Sequence, residues 1–134
     1  MFTAHDPRVF YEAIVTRIAT STGEGIGEAE APAVTAGHPY AVVYPQDETD
    51  VDATLADPHD LTIFEWLVVS VGITQDQALG MQQKVRAALL GWQPVVAGIT
   101  CSLIVREGGR GVLREDETQP PKFSAVDRFV VLVD

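Results

Sequence analysis

The stretch that decides the fold is residues 61–71, which read LTIFEWLVVSV. β-Branched and aromatic residues dominate it, and such side chains suit the pleated surface of a sheet. One face of the predicted strand carries Leu61, Ile63, Glu65, Leu67, Val69 and Val71, and the other carries Thr62, Phe64, Trp66, Val68 and Ser70. A half-buried strand alternates apolar and polar residues, whereas this one is apolar on both faces. The pattern therefore predicts a central strand that is covered on both sides.

A well-marked helix follows this strand, from Thr74 to Leu90. Thr74 and Gln77 have the spacing of a capping box, which satisfies two N–H groups of the first turn. An apolar stripe recurs at helical spacing and consists of Ala78, Met81, Val85, Ala88 and Leu89. Gly91 is a natural residue just after the helix end. This helix covers one face of the strand, so the other face needs a second protein layer or a neighbouring subunit.

Length, cysteine content and charge restrict the possible classes of protein. A chain of 134 residues forms one domain that can bury roughly 68% of its unfolded surface. The single cysteine, Cys101, excludes an intramolecular disulfide and fits a reducing compartment. The N-terminus has no basic segment followed by an apolar one, so we expect synthesis in the cytoplasm without a signal peptide. The net charge of −10 argues against a surface that grips nucleic acid, although it also serves solubility.

The rest of the chain reads as one further helix and several short strands. Asp6 and Pro7 open the first helix as N-cap and first helical residue. The glycines of 23–27 predict a flexible connection, and a short strand is expected near 31–34. The further predicted elements are a proline-bracketed strand at 39–45, a one-faced strand at 98–106, a hairpin turn at 107–111, an irregular polar segment at 112–122 and a last strand at 123–133.

These elements predict an α+β fold. The architecture is a two-layer sandwich, with a mostly antiparallel or mixed sheet of about four to five strands and two helices on one face. The face left open should be solvated, yet Phe64, Trp66 and Val68 are large and apolar. We therefore expect these three residues to form a subunit interface. The alternative is an ordinary core tryptophan under the N-terminal helix.

Residues 46–60 form an acidic excursion from this body. The stretch contains six acidic residues and no basic one, and only Val51 and Leu55 are sizeable apolar residues. This composition predicts a loop or hairpin that protrudes from the domain.

Motifs for catalysis or for metal and cofactor binding are missing from the sequence. His5, His38 and His59 are scattered without short ligand spacing, which is typical of surface residues. Cys101 lies among apolar residues and is predicted to be a buried, inert thiol. Glu65 is the one candidate for a perturbed carboxylate, with no second catalytic group beside it. We therefore expect no enzymatic activity, catalytic residue, metal or cofactor.

The pattern as a whole resembles the tail terminator proteins of long-tailed phages with non-contractile tails, also called tail-completion or minor tail proteins. The resemblance spans the N-terminal helix at 8–20, the strand at 39–45, the segments 66–72 and 74–78, and the helix end at 85–91. Residues 107–122 match least. These are packing patterns and contain no chemical motif.

The resemblance implies a virion protein of the tail, made in the host cytoplasm. Six copies would form a ring at the head-proximal end of the tail tube, stop tube polymerisation and contact the head–neck connector. Genomic DNA would pass through the lumen without specific binding, and no membrane is involved. The residues expected to face the lumen or an axial partner are Asp47, Glu48, Asp50, Val51, Asp52 and Leu55.

Two other classes of protein remain open. The first is another head–tail connector or tail-tube subunit, although tube subunits are usually richer in strand. The second is a small ligand-binding or enzymatic α+β domain, which would need a concave cavity with convergent polar groups.

Overall fold

The computed structural model describes residues 7–32, 37–46, 49–52, 60–96, 99–117 and 120–133. Two helices and six strands lie in these ranges. In chain order they are α1 (Pro7–Thr22), β1 (Gly25–Glu28), β2 (Tyr40–Pro45), β3 (Thr49–Asp52), β4 (Asp60–Gly72), α2 (Gln75–Leu89), β5 (Val105–Glu115) and β6 (Lys122–Val133).

The six strands form one mixed sheet in the order β1-β2-β4-β6-β5, and β3 also pairs with β4. Only β1 and β2 run parallel, and the other pairs are antiparallel. Both helices contribute to a single core on one face of this sheet. The predicted α+β sandwich with two helices on one face is therefore confirmed, and its sheet has one or two strands more than expected.

The sheet is built around β4, as the apolar run at 61–71 predicted. Along one side β4 pairs with β6, from Thr62 opposite Val133 to Gly72 opposite Phe123. Along its other side it pairs first with β3 and then with β2. A strand of 13 residues with neighbours on both sides satisfies most of its backbone groups within the sheet.

Helix α2 begins and ends as its sequence predicted. Oγ1 of Thr74 accepts a hydrogen bond from the Gln77 backbone N–H at 3.1 Å. The Gln77 side chain accepts one from the Ile73 N–H at 3.0 Å, one residue before the cap itself. Gly91 has φ +75°, the left-handed conformation that favours glycine just after a helix.

The N-terminal half of the sheet contains a strand where a flexible connection was predicted. Residues 25–28 form β1, which pairs in parallel with β2 from Gly25 opposite Tyr40 to Glu28 opposite Val43. The glycine at 27 suits a close approach, because a Cβ there would overlap the carbonyl oxygen of Glu30. Residues 31 and 32 are not in a strand, and the rest of the predicted strand at 31–34 lies outside the described residues.

The C-terminal half also differs from the prediction. The expected strand at 98–106 is mostly a connection, in which Val96 bridges Ile99 and Cys101 bridges Val133. The Gln93 amide donates to the Cys101 carbonyl at 2.7 Å, and the Ile104 N–H donates to the Trp92 carbonyl at 3.1 Å, so this segment folds on itself.

The glycine-rich residues 107–111, predicted as a hairpin turn, lie inside β5. That strand continues to Glu115 and has register shifts between Arg106 and Gly109 and between Arg110 and Leu113. Gly108 and Gly109 absorb the first shift with φ of +115° and +152°.

Candidate assembly surface

Aromatic rings fill the space between α1 and the sheet. The Phe10 ring stacks on Phe64 with 4.7 Å between centroids and meets Trp66 edge-on at 5.8 Å. On its other side Trp66 stacks on Phe129 at 6.0 Å. The Trp66 Nε1 is buried, and among the described residues it has no hydrogen-bond partner. A buried unpaired donor costs free energy, so packing of the rings is what stabilises this position.

The predicted subunit interface at Phe64, Trp66 and Val68 is therefore corrected. Their side chains are at most 1% exposed within a single chain, under the two helices. A neighbouring subunit cannot contact these side chains, because the helices of the same chain already cover them. The residue alternation identified correctly which side chains share a face, but it did not show which face the helices cover. The structure has the alternative arrangement, a core tryptophan under the N-terminal helix.

The face of the sheet away from the helices is the one left without a second layer among the described residues. On β4 it carries the odd-numbered residues, of which Ile63, Glu65, Leu67 and Val69 are half-buried. Residues opposite one another in a ladder share a face, so Val130 and Leu132 of β6 lie beside Glu65 and Ile63. The prediction that β4 is covered on both sides is thus not what the described residues show.

Apolar side chains dominate this open face. Tyr40, Val42 and Val71 form a small buried cluster on it, against which Val69 packs. The Lys122 ammonium lies 5.7 Å from the centre of the Tyr40 ring and covers part of that cluster. Nearer β5 the cover is thinner, because Val105 and Leu113 are about half exposed. An extended apolar surface of this kind is typical of protein–protein contact.

The acidic excursion begins and ends in a strand pair. β3 pairs antiparallel with the start of β4, from Thr49 opposite Ile63 to Asp52 opposite Asp60. This places the backbone of Asp50, Val51 and Asp52 at the end of β4 that extends beyond β2. Of the other residues predicted to face a lumen or an axial partner, Asp47, Glu48 and Leu55 lie outside the described residues.

A buried ion cluster joins α2, β5 and β6, and the sequence analysis missed it. Asp127 is 1% exposed and accepts hydrogen bonds from Arg86 at 2.8 and 3.0 Å and from Arg106 at 2.7 Å. Gly109 lies directly opposite Asp127 in the ladder, and a Cβ there would overlap the Val126 carbonyl oxygen. The only signal in the sequence was an aspartate at 127, between the apolar residues 125–126 and 129–133 and beside Arg128.

The charged state of this cluster follows from its contacts. Burial by itself would raise the pKa of Asp127, but hydrogen bonds from Arg86 and Arg106, together with their attraction, hold it below its ordinary value. The hydrogen bond to Asp127 likewise raises the pKa of Arg86. An aspartate that accepts three charged hydrogen bonds remains ionised, so the cluster is a structural brace between a helix and two strands.

An open groove of about 1170 Å³ lies between α1 and the β1–β2 edge. Its walls include Val15 and Val43, and its rim carries Glu12 and Glu28. Tyr11 also lines it and donates a hydrogen bond from its hydroxyl to the Glu65 carbonyl at 3.0 Å. Arg8 lines the groove as well, so the groove combines apolar side chains with two glutamates and one arginine.

Of the residues considered for chemistry, the structure describes Cys101, His38 and Glu65. Cys101 is buried, and burial raises the pKa of its thiol. His38 is exposed, while His5 and His59 lie outside the described residues. Within the described ranges, no three His, Cys, Asp or Glu side chains converge in a way that could hold a metal ion. No helix in the same ranges has the length and apolar character needed to cross a membrane.

Comparison with known proteins finds similar folds among solved structures. No protein-family model and no curated protein matches the chain. A chain solved as part of the virion of a native gene transfer agent particle superposes with a TM-score of 0.62 at 14% identity, over 97% of this chain and 99% of that one. A second solved structure has a TM-score of 0.61 at 12% identity, over 98% and 97% of the two chains. At identities this low, the superpositions show a shared fold alone.

Proposed function

We propose that this protein is a structural component of a phage-like particle, and specifically a tail terminator. In this role six copies form a ring at the head-proximal end of the tail tube, end tube polymerisation and join the tail to the head–neck connector. The observation that carries the proposal is the shared fold with a chain of the gene transfer agent virion, which extends over 97% of this chain.

Two features of the surface support an assembling subunit. The open sheet face presents half-exposed apolar residues, which a partner would bury. The chain has only 9 lysines and arginines against 19 acidic residues, so it offers few groups that bind phosphate. A lumen built from such subunits would let DNA slide through without binding. The partners of the protein in this proposal are other copies of itself, the tail-tube protein and the connector, and it resides in the virion.

The proposal also assigns the protein no catalytic role. Cys101 is buried in the core cluster, with a thiol whose pKa is raised, which is the opposite of an activated nucleophile. The carboxylate of Asp127 is occupied by two arginines. These groups stabilise the fold, and neither is placed to react with a substrate.

Tube-length measurement tests the proposal. Purified tube protein polymerises alone or with the terminator, and tube lengths are measured by electron microscopy. We expect tubes to become shorter as the terminator concentration rises, with one ring visible at one end of each tube. Heat-denatured terminator is the control and should leave the lengths unchanged. Unaltered lengths with the native protein, or its incorporation all along the tube, would contradict the proposal and favour a tube or connector subunit.

The groove beside α1 gives a second candidate function a specific basis. Its volume is close to that of small-molecule sites, which are about 300–1,000 Å³. A ligand-binding domain would gain thermal stability from a small molecule that fits the groove. Screening a metabolite collection by thermal shift distinguishes the two, since a structural subunit should show no specific stabilisation.

A further inference from the structure

The sheet ends in two edges of different character. β1 and β5 each hydrogen-bond to one neighbour only among the strands that the structure describes. β1 is a short edge of four residues, whereas β5 is a long edge of 11 residues. Unpaired edges are places where a second chain can add. A contact between opposite edges is heterologous, and such contacts generate rings when the rotation closes.

The charges of the chain are separated between these two edges. Residues 18–83, which include β1, β2, β3 and β4, contain eleven acidic residues and no lysine or arginine. Residues 105–133, which include β5 and β6, contain five basic and five acidic residues and are neutral overall. Arg106, Arg110 and Arg114 follow one another along β5 at intervals of four. At the β1 edge Glu28 and Glu30 are exposed, while Glu24 pairs with Lys84 at 3.3 Å, so this edge is negative. Strand β5 contains three arginines and two glutamates and is slightly positive.

The β1 edge also offers a cavity. The groove between α1 and the β1–β2 edge is lined by apolar side chains, by the exposed Glu12 and Glu28, and by Arg8, so its acidic residues outnumber its basic one. It is open to solvent and large enough for several side chains. A partner that fits this groove needs apolar side chains flanked by positive charge.

The β5 edge has that composition. Leu113 is 53% exposed. The neighbouring Arg114 side chain is 60% exposed and pairs with the exposed Asp116 at 2.6 Å, a pair in solvent that a partner carboxylate can replace. Arg110 is anchored through hydrogen bonds to the Ser124 carbonyl and hydroxyl, at 3.2 and 3.1 Å, which holds its guanidinium at this edge. The two register shifts of β5 interrupt a regular edge and disfavour continuous strand addition. We therefore expect a partner to contact β5 through its side chains and not by adding a strand.

We propose that the β5 edge of one copy, at Arg110, Leu113 and Arg114, docks into the acidic groove of the next copy, between Glu12 and Glu28. The occupant of the groove is thus a second copy of this chain, in a head-to-tail arrangement. This inference rests on the proposed function only for its expectation of a closed ring. It adds the surfaces that form the subunit contact, and it leaves the part of the open sheet face over β2, β4 and β6 for other partners.

Two charge-reversal variants test the contact. The first, Arg110→Glu with Arg114→Glu, places acidic residues on both edges. The second, Glu12→Lys with Glu28→Lys, places basic residues on both edges. We expect each variant alone to elute at the 14.5 kDa of a single chain, while the wild type elutes as a ring. An equimolar mixture should regain the ring mass, because each variant's β5 then meets an opposite charge in the other's groove.

A matched control separates the edge from the open face. Arg128 is exposed on β6 and lies opposite Leu67, on the open face. Arg128→Glu makes the same charge change as Arg114→Glu alone, at a residue outside the proposed contact, and should leave the ring mass unaltered. Circular dichroism checks the fold of every variant, and Arg114→Glu alone replaces the first double variant if loss of the Arg110 hydrogen bonds unfolds it.

The outcomes distinguish this inference from the proposed function. Rings in both charge-reversal variants, a folded pair that fails to assemble when mixed, or a ring lost only through Arg128→Glu would each overturn the contact. A wild-type protein that stays monomeric at every concentration would also overturn it. The variants could assemble only when mixed while the wild type leaves tube lengths unchanged. That result would support the contact and overturn only the terminator role.

Discussion

Asp127 joins three elements through hydrogen bonds to two arginines. Its carboxylate is buried, whereas the side chains of Arg86 and Arg106 are 28% and 38% exposed. The cost of taking the carboxylate out of water is offset by three charged hydrogen bonds. Removing the negative charge leaves two arginines close together with no counter-charge. The brace is thus more vulnerable to loss of the aspartate than to loss of either single arginine.

Asp127→Asn tests this brace, because it preserves shape and removes charge. We expect the free energy of unfolding to fall by about 3 kcal/mol. This value is at the lower end of the range measured when one partner of a buried ion pair is removed, because both arginines retain access to water. The measurement is urea denaturation at neutral pH. Asp116→Asn is the matched control, since the Arg114–Asp116 pair at 2.6 Å is exposed. It should cost less than about 1 kcal/mol. Equal losses in the two variants would show that the cluster does not brace the fold.

Stability should also depend on pH through Asp127. The pKa of this carboxyl group is lowered in the folded protein. Such a group stabilises the fold above its unfolded pKa, about 3.9, and the contribution disappears as pH falls through the folded value. The stability difference between wild type and Asp127→Asn should therefore be constant near neutral pH and shrink below about pH 4. A difference that stayed constant down to pH 2 would refute the ionised state.

The close approach of β5 to β6 requires a glycine at position 109. A Cβ at Gly109 would overlap the Val126 carbonyl oxygen and lie 3.0 Å from the Asp127 carboxylate, in a backbone with φ +152°. Gly109→Ala should therefore cost more than about 2 kcal/mol of unfolding free energy. Gly111→Ala is the control on the same strand, because a Cβ there meets nothing within 4 Å. It should change stability by about 0.5 kcal/mol or less. Similar values for both would mean that the strand shifts readily to accept the methyl group.

Elements with local signals were predictable from the sequence. α2 has a cap and a stripe, and β4 and the end of β6 have apolar runs, so their positions were predicted within a few residues. β1 and β5 contain glycines that resemble turns, and only their pairing with β2 and β6 makes them strands. Tertiary context thus overrode the local propensity of these two segments.

The candidate surfaces were less predictable for a related reason. Alternation along β4 separates its side chains into two faces, but it carries no information about which face meets α1. Phe10 decides this by stacking on Phe64, a contact between residues 54 positions apart. The Arg86–Asp127 pair likewise joins residues 41 positions apart. No motif within a single segment predicts either contact.

The described residues present four surfaces, which are the two sheet edges, the open sheet face and the β3–β4 pair. The sheet edges differ in charge, the open sheet face is apolar, and the β3–β4 pair lies at the far end of β4. In the proposed ring the edges meet neighbouring copies. The β3–β4 pair, whose strand β3 belongs to the acidic stretch 46–60, is then available to the axial partner or the lumen. The two kinds of contact can therefore be disturbed independently.

Neutralising the acidic excursion tests this division. Asp47, Asp50 and Asp52 are changed to asparagine and Glu48 to glutamine, which removes four negative charges and keeps side-chain size. We expect the ring to form as in the wild type, because the proposed edge contact uses other residues. Docking to the tube or connector should weaken, since basic groups on the partner lose their counter-charges. The dissociation constant is measured by sedimentation with preformed tubes.

Hydrogen exchange of residues 46–60 supplies the second measurement for this prediction. Docking should order this segment and protect its N–H groups, so exchange should slow when the wild type binds the tube. The ordering costs on the order of 1 kcal/mol per residue, which the contacts with the partner must offset. In the neutralised variant the same residues should stay closer to their rates in the undocked ring. Strong and equal protection in docked and undocked wild type would place the stretch within the body of the domain. Its assignment to the axial contact would then have to be abandoned, while the edge contact between copies would stand on its own evidence.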